Sequence, residues 1–312
     1  MRTRTIGAAL ALLAGFALAA AAQQAQQQAP FVFHANVGEV LAHATVVNRK
    51  GEPVTMLPES DFTIYENGVP QRIQYFAHDD APVSVGILLD NSGSMQGSRP
   101  AVDRAAINFV KASNPDDEVF VVNFSDEYYL DAPFTNSIPT LDAALEHIES
   151  SGGTALYDAI IASVDYMNNN ARNDKHVLLV VTDGDDDDSR YTLEQTVRML
   201  QVKNTPLIYC IGILDSLDTR SMKHAAERAL KALSKASGGT AFFPKNLKQV
   251  NAITLTLAHE IRTQYTFAYR SNQTGAGYRA IRIDVKDRHQ KHLTVHTRGG
   301  YYDPGTGSQP LK

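Results

Sequence analysis

Three short segments of the sequence carry oxygen-bearing side chains in patterns that can bind a metal ion. They are Asp90-Asn91-Ser92-Gly93-Ser94, Ser151-Gly152-Gly153-Thr154 and Thr182-Asp183-Gly184. The donors that they offer are two carboxylates and three hydroxyls, on Asp90, Asp183, Ser92, Ser94 and Thr154. These hard oxygen donors suit Mg²⁺, Mn²⁺ or Ca²⁺ rather than Zn²⁺ or copper. The segments therefore predict a divalent-cation site, with Mg²⁺ as the first choice.

The charge of this donor set indicates what the ion would do. Two carboxylates balance one divalent ion, and neutral hydroxyls donate weakly, so the ion stays electrophilic and an open position can accept a carboxylate from another protein. In the simplest alternative, Ser92, Ser94 and Thr154 only cap the starts of helices, as serine and threonine often do. That alternative does not account for Asp90 and Asp183, so we favour metal binding.

Residues 81–262 alternate between apolar strands and amphipathic helices. The main predicted strands are Val83–Asp90, Glu118–Phe124, His176–Thr182 and Pro206–Leu214. Continuous apolar strands separated by helices indicate a mostly parallel sheet covered on both faces, which is a doubly wound α/β fold. Ligands of such sheets bind beyond the carboxyl ends of the strands, which is where the two aspartates stand.

The segments on either side are rich in β structure. Residues 31–80 and 263–302 contain short strand patterns and turns, without helical patterns. Each segment offers only a few strands, which is too few for a robust sheet packing of its own. We expect the two segments to pair into one β-sandwich-like domain that flanks the α/β domain, and we expect residues 303–312 to be a disordered tail.

The first residues have the pattern of an export signal. Arg2 and Arg4 precede an apolar run that ends in small residues at Ala22, and a glutamine-rich flexible leader follows at 23–30. This pattern predicts a secretory signal peptide over 1–22 and a secreted or periplasmic protein, with retention as a membrane anchor as the alternative. No later stretch is apolar enough to span a bilayer. Cys210 is the only cysteine, and the formal charge of -5 gives no support to nucleic-acid binding.

The three oxygen-rich segments together resemble the metal-ion-dependent adhesion site (MIDAS) of von Willebrand factor A domains. The D-x-S-x-S segment is a weak pattern alone and becomes strong with the Gly-Gly-Thr and Thr-Asp-Gly segments at suitable strand ends. The resemblance covers about the whole α/β span and implies the Rossmann-like fold of that family. It implies that the three hydroxyls coordinate the ion and that the two aspartates bind it directly or through water.

A looser likeness extends to the flanking segments. Tyr65-Glu66-Asn67-Gly68 and Gly299-Gly300-Tyr301-Tyr302 resemble parts of a group of secreted bacterial proteins related to the von Willebrand factor A family. Together the resemblances imply an exported adhesion module that binds an acidic residue of a protein partner through its metal, without catalysis.

Two other functions stay open as alternatives. One is an envelope assembly or scaffold component with a structural metal, and the other, more remote, is a metal-dependent hydrolase. Phosphate-binding glycine motifs and a nucleophile elbow are missing from the sequence, and nothing supplies a general base beside Ser92 or Ser94. We interpret the acidic run Asp185–Asp188 as a solvated loop, with a second cation as the alternative.

Overall fold

The computed structural model describes residues 39–78, 80–145, 150–286 and 292–305. The predicted signal peptide (1–22) and leader (23–30) lie outside these residues, as does the predicted tail from residue 306 onward. Asp303, the first residue of that predicted tail, is the last residue of a strand. Among the described residues, no helix has the length and apolar character needed to cross a membrane.

Short strands dominate both ends of the described chain, and strands alternate with helices between them. The strands are β1 (Glu39–Val47), β2 (Phe62–Glu66), β3 (Val69–Gln71), β4 (Ile73–Ala77), β5 (Val83–Asp90), β6 (Glu118–Phe124), β7 (Tyr128–Thr135), β8 (Lys175–Thr182), β9 (Leu207–Gly212), β10 (Ala241–Phe242), β11 (Tyr265–Arg270), β12 (Gly277–Val285), β13 (Thr294–Thr297) and β14 (Gly300–Asp303). The helices are α1 (Arg99–Ala112), α2 (Ile138–Leu145), α3 (Leu156–Asn170), α4 (Leu193–Leu200), α5 (Arg220–Ser237) and α6 (Lys248–Arg262).

The middle of the chain forms one central sheet, in the strand order β10-β9-β8-β5-β6-β7. Its strands run parallel except β7, which pairs antiparallel with β6. β5, β6 and β9 are buried along their whole length because helices cover both faces of the sheet. α1, α2 and α6 pack on one face, and α3, α4 and α5 pack on the other. The predicted fold class, a doubly wound and mostly parallel α/β fold, is confirmed.

The edge strand β7 was not predicted as a strand. The sequence indicated that Tyr128 and Tyr129 lie beyond the strand Glu118–Phe124 and pack at the sheet edge, with a role at the binding face as the alternative; both side chains are exposed. In β7 only Ala132 is buried, and Pro133 lies within the strand. An edge strand can expose one side and tolerates proline, since its outer backbone groups need no partner within the sheet. Its sequence therefore lacks the continuous apolar run that identified the inner strands.

Both ends of the described chain contribute to two further antiparallel sheets. Their strand orders are β13-β1-β11-β4 and β14-β12-β2-β3. β1 lies beside β11, with Ala42 opposite Phe267, and β2 lies beside β12, with Ile64 opposite Ile283. Apolar side chains of the two sheets share one core. The flanking β-rich part is thus built from both chain ends, as the predicted fold class requires.

Glu66, the last residue of β2, is fully buried and connects the two chain ends. Its carboxylate accepts hydrogen bonds from the hydroxyls of Tyr269 at 2.8 Å and Tyr301 at 3.0 Å, and from that of Ser271. The buried guanidinium of Arg279 lies 3.3 Å from the same carboxylate. Because each of these partners is distant in sequence, the charge of Glu66 is satisfied only when the two ends are folded together.

The central sheet brings the carboxyl ends of its middle strands to one edge. Near the end of β5, Leu89 lies opposite Val181 of β8 on one side and Asn123 of β6 on the other. The chain leaves β5 for β6 in one direction and reaches β8 in the other, so this edge is a topological switch point. Ligands of open α/β sheets bind at such points.

Candidate metal centre

The three oxygen-rich segments meet at this carboxyl edge of the sheet. The amide of Gly93 in the first segment donates to the carbonyl of Gly152 in the second, at 3.2 Å. The carbonyl of Thr154 in the second segment accepts from the amide of Asp187, in the loop of the third, at 3.1 Å. The first and third segments are joined by the side chain of Asp90. The fold therefore assembles into one site the residues that the sequence places far apart.

Asp90 ends β5 and is fully buried. Its Oδ1 accepts from the amide of Ser92 at 2.9 Å, and its Oδ2 accepts from the hydroxyl of Thr182 at 2.6 Å. Burial raises the pKa of the Asp90 carboxyl to about 6, and the nearby charge of Asp183 also raises this pKa, whereas the hydrogen bonds from Ser92 and Thr182 act to lower it. The two aspartates are thus close enough for their charges to interact.

Asp183 follows β8 and is also fully buried. Its Oδ2 accepts a hydrogen bond from the hydroxyl of Ser216 at 3.0 Å, and its Oδ1 accepts one from the amide of Asp185 at 3.3 Å. All of these partners are uncharged donors. They fix the position of the carboxylate without neutralising it.

The three hydroxyl groups differ in exposure. Ser92 and Thr154 are almost fully buried, whereas Ser94 is exposed and its Oγ lies 3.0 Å from that of Ser92. Ser92 stands at the start of a short 3₁₀ turn, Gly93–Met95, but its side chain makes no capping hydrogen bond. The cap residue of α3 is Ala155, so Thr154 lies before the cap. Helix capping therefore does not account for these hydroxyls.

The donor set fits a divalent cation. Among the described residues, neither Asp90 nor Asp183 forms an ion pair with Lys, Arg or His. Buried carboxylates are normally paired or bound to a metal, because an isolated buried charge is very costly. The described chain holds no group of three or more His, Cys, Asp or Glu side chains suited to a metal. Two aspartates supplemented by hydroxyls are the arrangement that fits an ion at this edge.

Two residues that orient the aspartates were not predicted from the sequence. Thr182 donates to Asp90 and accepts from the amide of Gly184 at 2.9 Å, and Ser216 donates to Asp183. Thr182 was visible as the neighbour of Asp183, and its position at the end of a strand was the available signal. Ser216 lies in a turn after β9, and no sequence pattern connects it to the site.

The acidic run Asp185–Asp188 is only in part a solvated loop. Asp185, Asp187 and Asp188 are exposed. The carboxylate of Asp187 nevertheless accepts from the amide of Thr154 at 2.7 Å, and that of Asp186 accepts from the amide of Tyr157 at 3.2 Å. These bonds attach the start of α3 to the third loop. The interpretation of the run as a solvated loop is therefore corrected: Asp187 positions Thr154 of the second segment, and Asp186 positions the first turn of α3.

A family comparison identifies the α/β part of the chain. Residues 85–185 match the family model described as von Willebrand factor type A domain, and this span contains all five predicted metal ligands. The chain is similar to that family over these residues. The matched span includes most of β5 and the whole of β6, β7 and β8. No curated protein matches the chain.

Several solved structures are similar to this chain. A von Willebrand factor type A protein from Catenulispora acidiphila is 12% identical with a TM-score of 0.50, over 86% of this chain and 75% of that one. Proximal thread matrix protein 1 from the mussel byssus, solved with a zinc-occupied MIDAS motif, is 16% identical with a TM-score of 0.50, over 63% of this chain and 50% of that one. BatB from Bacteroides thetaiotaomicron is 18% identical with a TM-score of 0.46, over 57% of this chain and 97% of that one.

Proposed function

We propose that the von Willebrand factor type A domain of this chain binds a divalent cation, Mg²⁺ in first place, and captures a carboxylate of a protein partner with it. The observation that carries the proposal is the pair of fully buried aspartates, Asp90 and Asp183, whose carboxylates form no ion pair with Lys, Arg or His among the described residues. A divalent ion would neutralise both charges. The hydroxyls of Ser92, Ser94 and Thr154 would complete its protein ligands.

The exposure of Ser94 supports capture of a partner rather than a closed structural site. Ser94 faces solvent while its neighbour Ser92 is buried, so an ion held between them would be accessible from outside. The ion would stay electrophilic, because two carboxylates balance its charge without exceeding it and the neutral hydroxyls donate weakly. A carboxylate from a partner is the hard, anionic ligand that such an ion prefers.

The identity of the ion and the location of the protein are parts of the same proposal. The zinc in the MIDAS motif of the mussel protein supports a divalent cation in general, so Zn²⁺ belongs in any binding test beside Mg²⁺. The arginines and apolar run at the start of the sequence support export to the periplasm or beyond. The proposal is adhesion or partner binding, without a catalytic step.

Mn²⁺ gives a direct test, because bound Mn²⁺ accelerates the relaxation of water protons where water reaches the ion. We expect the Mn²⁺-loaded chain to show this enhancement and a short peptide with one Asp to reduce it by displacing water. The matched peptide with Asn should have no effect. Asp90→Ala should abolish Mn²⁺ binding with the fold intact by circular dichroism, whereas Asp142→Ala, which removes an exposed acid from α2, should not.

Two results would contradict the proposal in different ways. If Mn²⁺ binds at this site but the Asp peptide leaves the relaxation unchanged, the metal is structural and the scaffold alternative is favoured. If none of the ions Mn²⁺, Mg²⁺ and Zn²⁺ binds, the proposal of a metal site is refuted.

A further inference from the structure

An exposed apolar strand lies beside the proposed metal centre. β7 is the edge strand of the central sheet, and three consecutive large side chains at its start are exposed: Tyr128 by 43%, Tyr129 by 56% and Leu130 by 46%. We call these three residues the β7 surface. Exposed apolar groups next to an open strand edge favour association, and natural proteins usually cover or charge such edges. The β7 surface is therefore a candidate contact for the partner.

A cavity of about 460 Å³ connects the β7 surface to the metal loops. Tyr129 lines one side, and the other side includes Asn91, which stands between Asp90 and Ser92, and Ser151, which begins the second oxygen-rich segment. A partner segment bound at the ion would therefore extend into this cavity and onto β7 without leaving the surface.

The cavity is acidic. Asp126, Glu127 and Asp131 line it, and none of its lining residues is Lys, Arg or His. Arg99 donates to Asn123 at 2.9 Å, is paired with Asp103 at 3.1 Å, and its charge also interacts with that of Asp131. Asp126 and Glu127 form no ion pair among the described residues. We call this space the acidic cavity.

Two of the three acids accept hydrogen bonds from neighbouring parts of the fold. The third, Glu127, is bonded at the surface. Asp126 accepts from the amide of Gly153, and Asp131 accepts from the amide and side chain of Asn123 at 3.0 Å and 2.8 Å. Within the part of the chain that the structure describes, the carboxylate of Glu127 accepts a hydrogen bond only from the hydroxyl of Tyr129, at 2.9 Å, at the surface. Glu127 is therefore the acid best placed to meet a charged group from outside.

We infer that the partner which supplies a carboxylate to the ion also supplies a basic side chain, Arg or Lys, to the acidic cavity. This inference rests on the proposed function and specifies its ligand as a segment that carries an acid and a base close together. The cationic group would lie among the three carboxylates and against the ring of Tyr129, an arrangement that combines charge attraction with a cation–π contact. Apolar residues beside it would cover the β7 surface.

Charge decides between this occupant and others. An anionic group such as a phosphate would be repelled by the three acids. For a second metal ion in the cavity, the described residues offer no group of three or more His, Cys, Asp or Glu side chains suited to hold it. A basic side chain has the opposite charge to the cavity, and the carboxylate of Glu127 at the surface is accessible to it.

Peptides selected from a random library on the Mn²⁺-loaded chain test this inference. We expect enriched peptides to contain an Asp or Glu together with an Arg or Lys, and EDTA to release them. In one such peptide, replacement of arginine by its neutral analogue citrulline should weaken binding about fivefold, the size of a partly exposed ion pair.

Glu127→Gln is the matched variant, since glutamine keeps the shape of the side chain and can still accept from Tyr129. On this variant the citrulline replacement should have a clearly smaller effect. Glu59→Gln, which removes an exposed carboxylate from the β-rich part, should leave the fivefold effect unchanged. Metal-dependent peptides without a base, or citrulline without effect, would overturn the inference and leave the proposed function standing. Peptides that bind equally well in EDTA would overturn both.

Discussion

Replacing Asp183 with alanine is expected to lower the affinity for Mg²⁺ by at least about 100-fold, since loss of residues that merely orient metal ligands already costs roughly 10–100-fold. Asp183 carries one of the two charges that would balance the ion. Its loss leaves Asp90 alone against two positive charges. Isothermal titration calorimetry of the native chain and the variant measures the difference, and Asp142→Ala on the surface of α2 serves as the matched control.

The stability of the variant distinguishes a lost ligand from a damaged fold. In the metal-free chain, Asp183 is a buried carboxylate beside a second one, so its removal should leave the melting temperature unchanged or raise it. Mg²⁺ should raise the melting temperature of the native chain by preferential binding to the folded state and should leave that of the variant unaltered. A variant that melts much earlier without metal, or that still gains stability from Mg²⁺, would contradict the assignment of Asp183.

The orienting hydroxyls should have smaller effects than the aspartates. Ser216→Ala removes one hydrogen bond to Asp183 and Thr182→Val removes one to Asp90, and each should weaken Mg²⁺ about tenfold. This graded order, with the aspartates above the hydroxyls that hold them, is what a metal centre with supporting hydrogen bonds requires. Equal effects of Asp90→Ala, Asp183→Ala, Ser216→Ala and Thr182→Val would indicate a general loss of structure instead.

Glu66→Ala should be the most destabilising single change in the β-rich part, lowering the free energy of unfolding by about 3–5 kcal/mol, as expected when one partner of a buried ion pair is removed. The change removes one of the two carboxylates that pair with the buried guanidinium of Arg279, leaving only Asp303, and the hydroxyls of Tyr269 and Tyr301 lose their acceptor. Urea unfolding followed by circular dichroism measures the loss.

A surface ion pair supplies the control for that experiment. Glu227 and Lys231 pair on the outside of α5, and Glu227→Ala should change the free energy of unfolding by less than about 1 kcal/mol. The contrast also tests the architecture, because the partners of Glu66 all come from the opposite end of the chain. A Glu66→Ala chain as stable as the control would mean that the two ends are not joined as the structure has them.

Several features of the fold were predictable from local sequence alone. Inner strands such as β6 and β8 have continuous apolar middles, Val119–Val122 and Val177–Val181, because they are covered on both faces. The pairing of the chain ends was predictable from their few strands, since neither end can form a packed sheet by itself. The register of the strand pairing was not predictable, because the position of Ile64 opposite Ile283 depends on packing between residues that are distant in sequence.

At the site, too, the contacts that could not be predicted join residues that are distant in sequence. The five proposed ligands stand in recognisable patterns at strand ends, so their types and order already indicated a metal. Ser216 and Asp126 carry no pattern that relates them to the site, and their contacts with Asp183 and Gly153 arise only when separate loops meet. β7 was missed because an exposed edge strand has no apolar period to detect. The acidic cavity, which depends on β7, was therefore invisible in the sequence.

The most direct measurement of the central claim is anomalous diffraction from crystals of the chain grown with Mn²⁺. We expect one anomalous peak at the carboxyl edge of the central sheet, bounded by the hydroxyls of Ser92, Ser94 and Thr154, with Asp90 and Asp183 beside it. A peak located instead at the acidic run Asp185–Asp188, or no peak at this edge at saturating Mn²⁺, would contradict it.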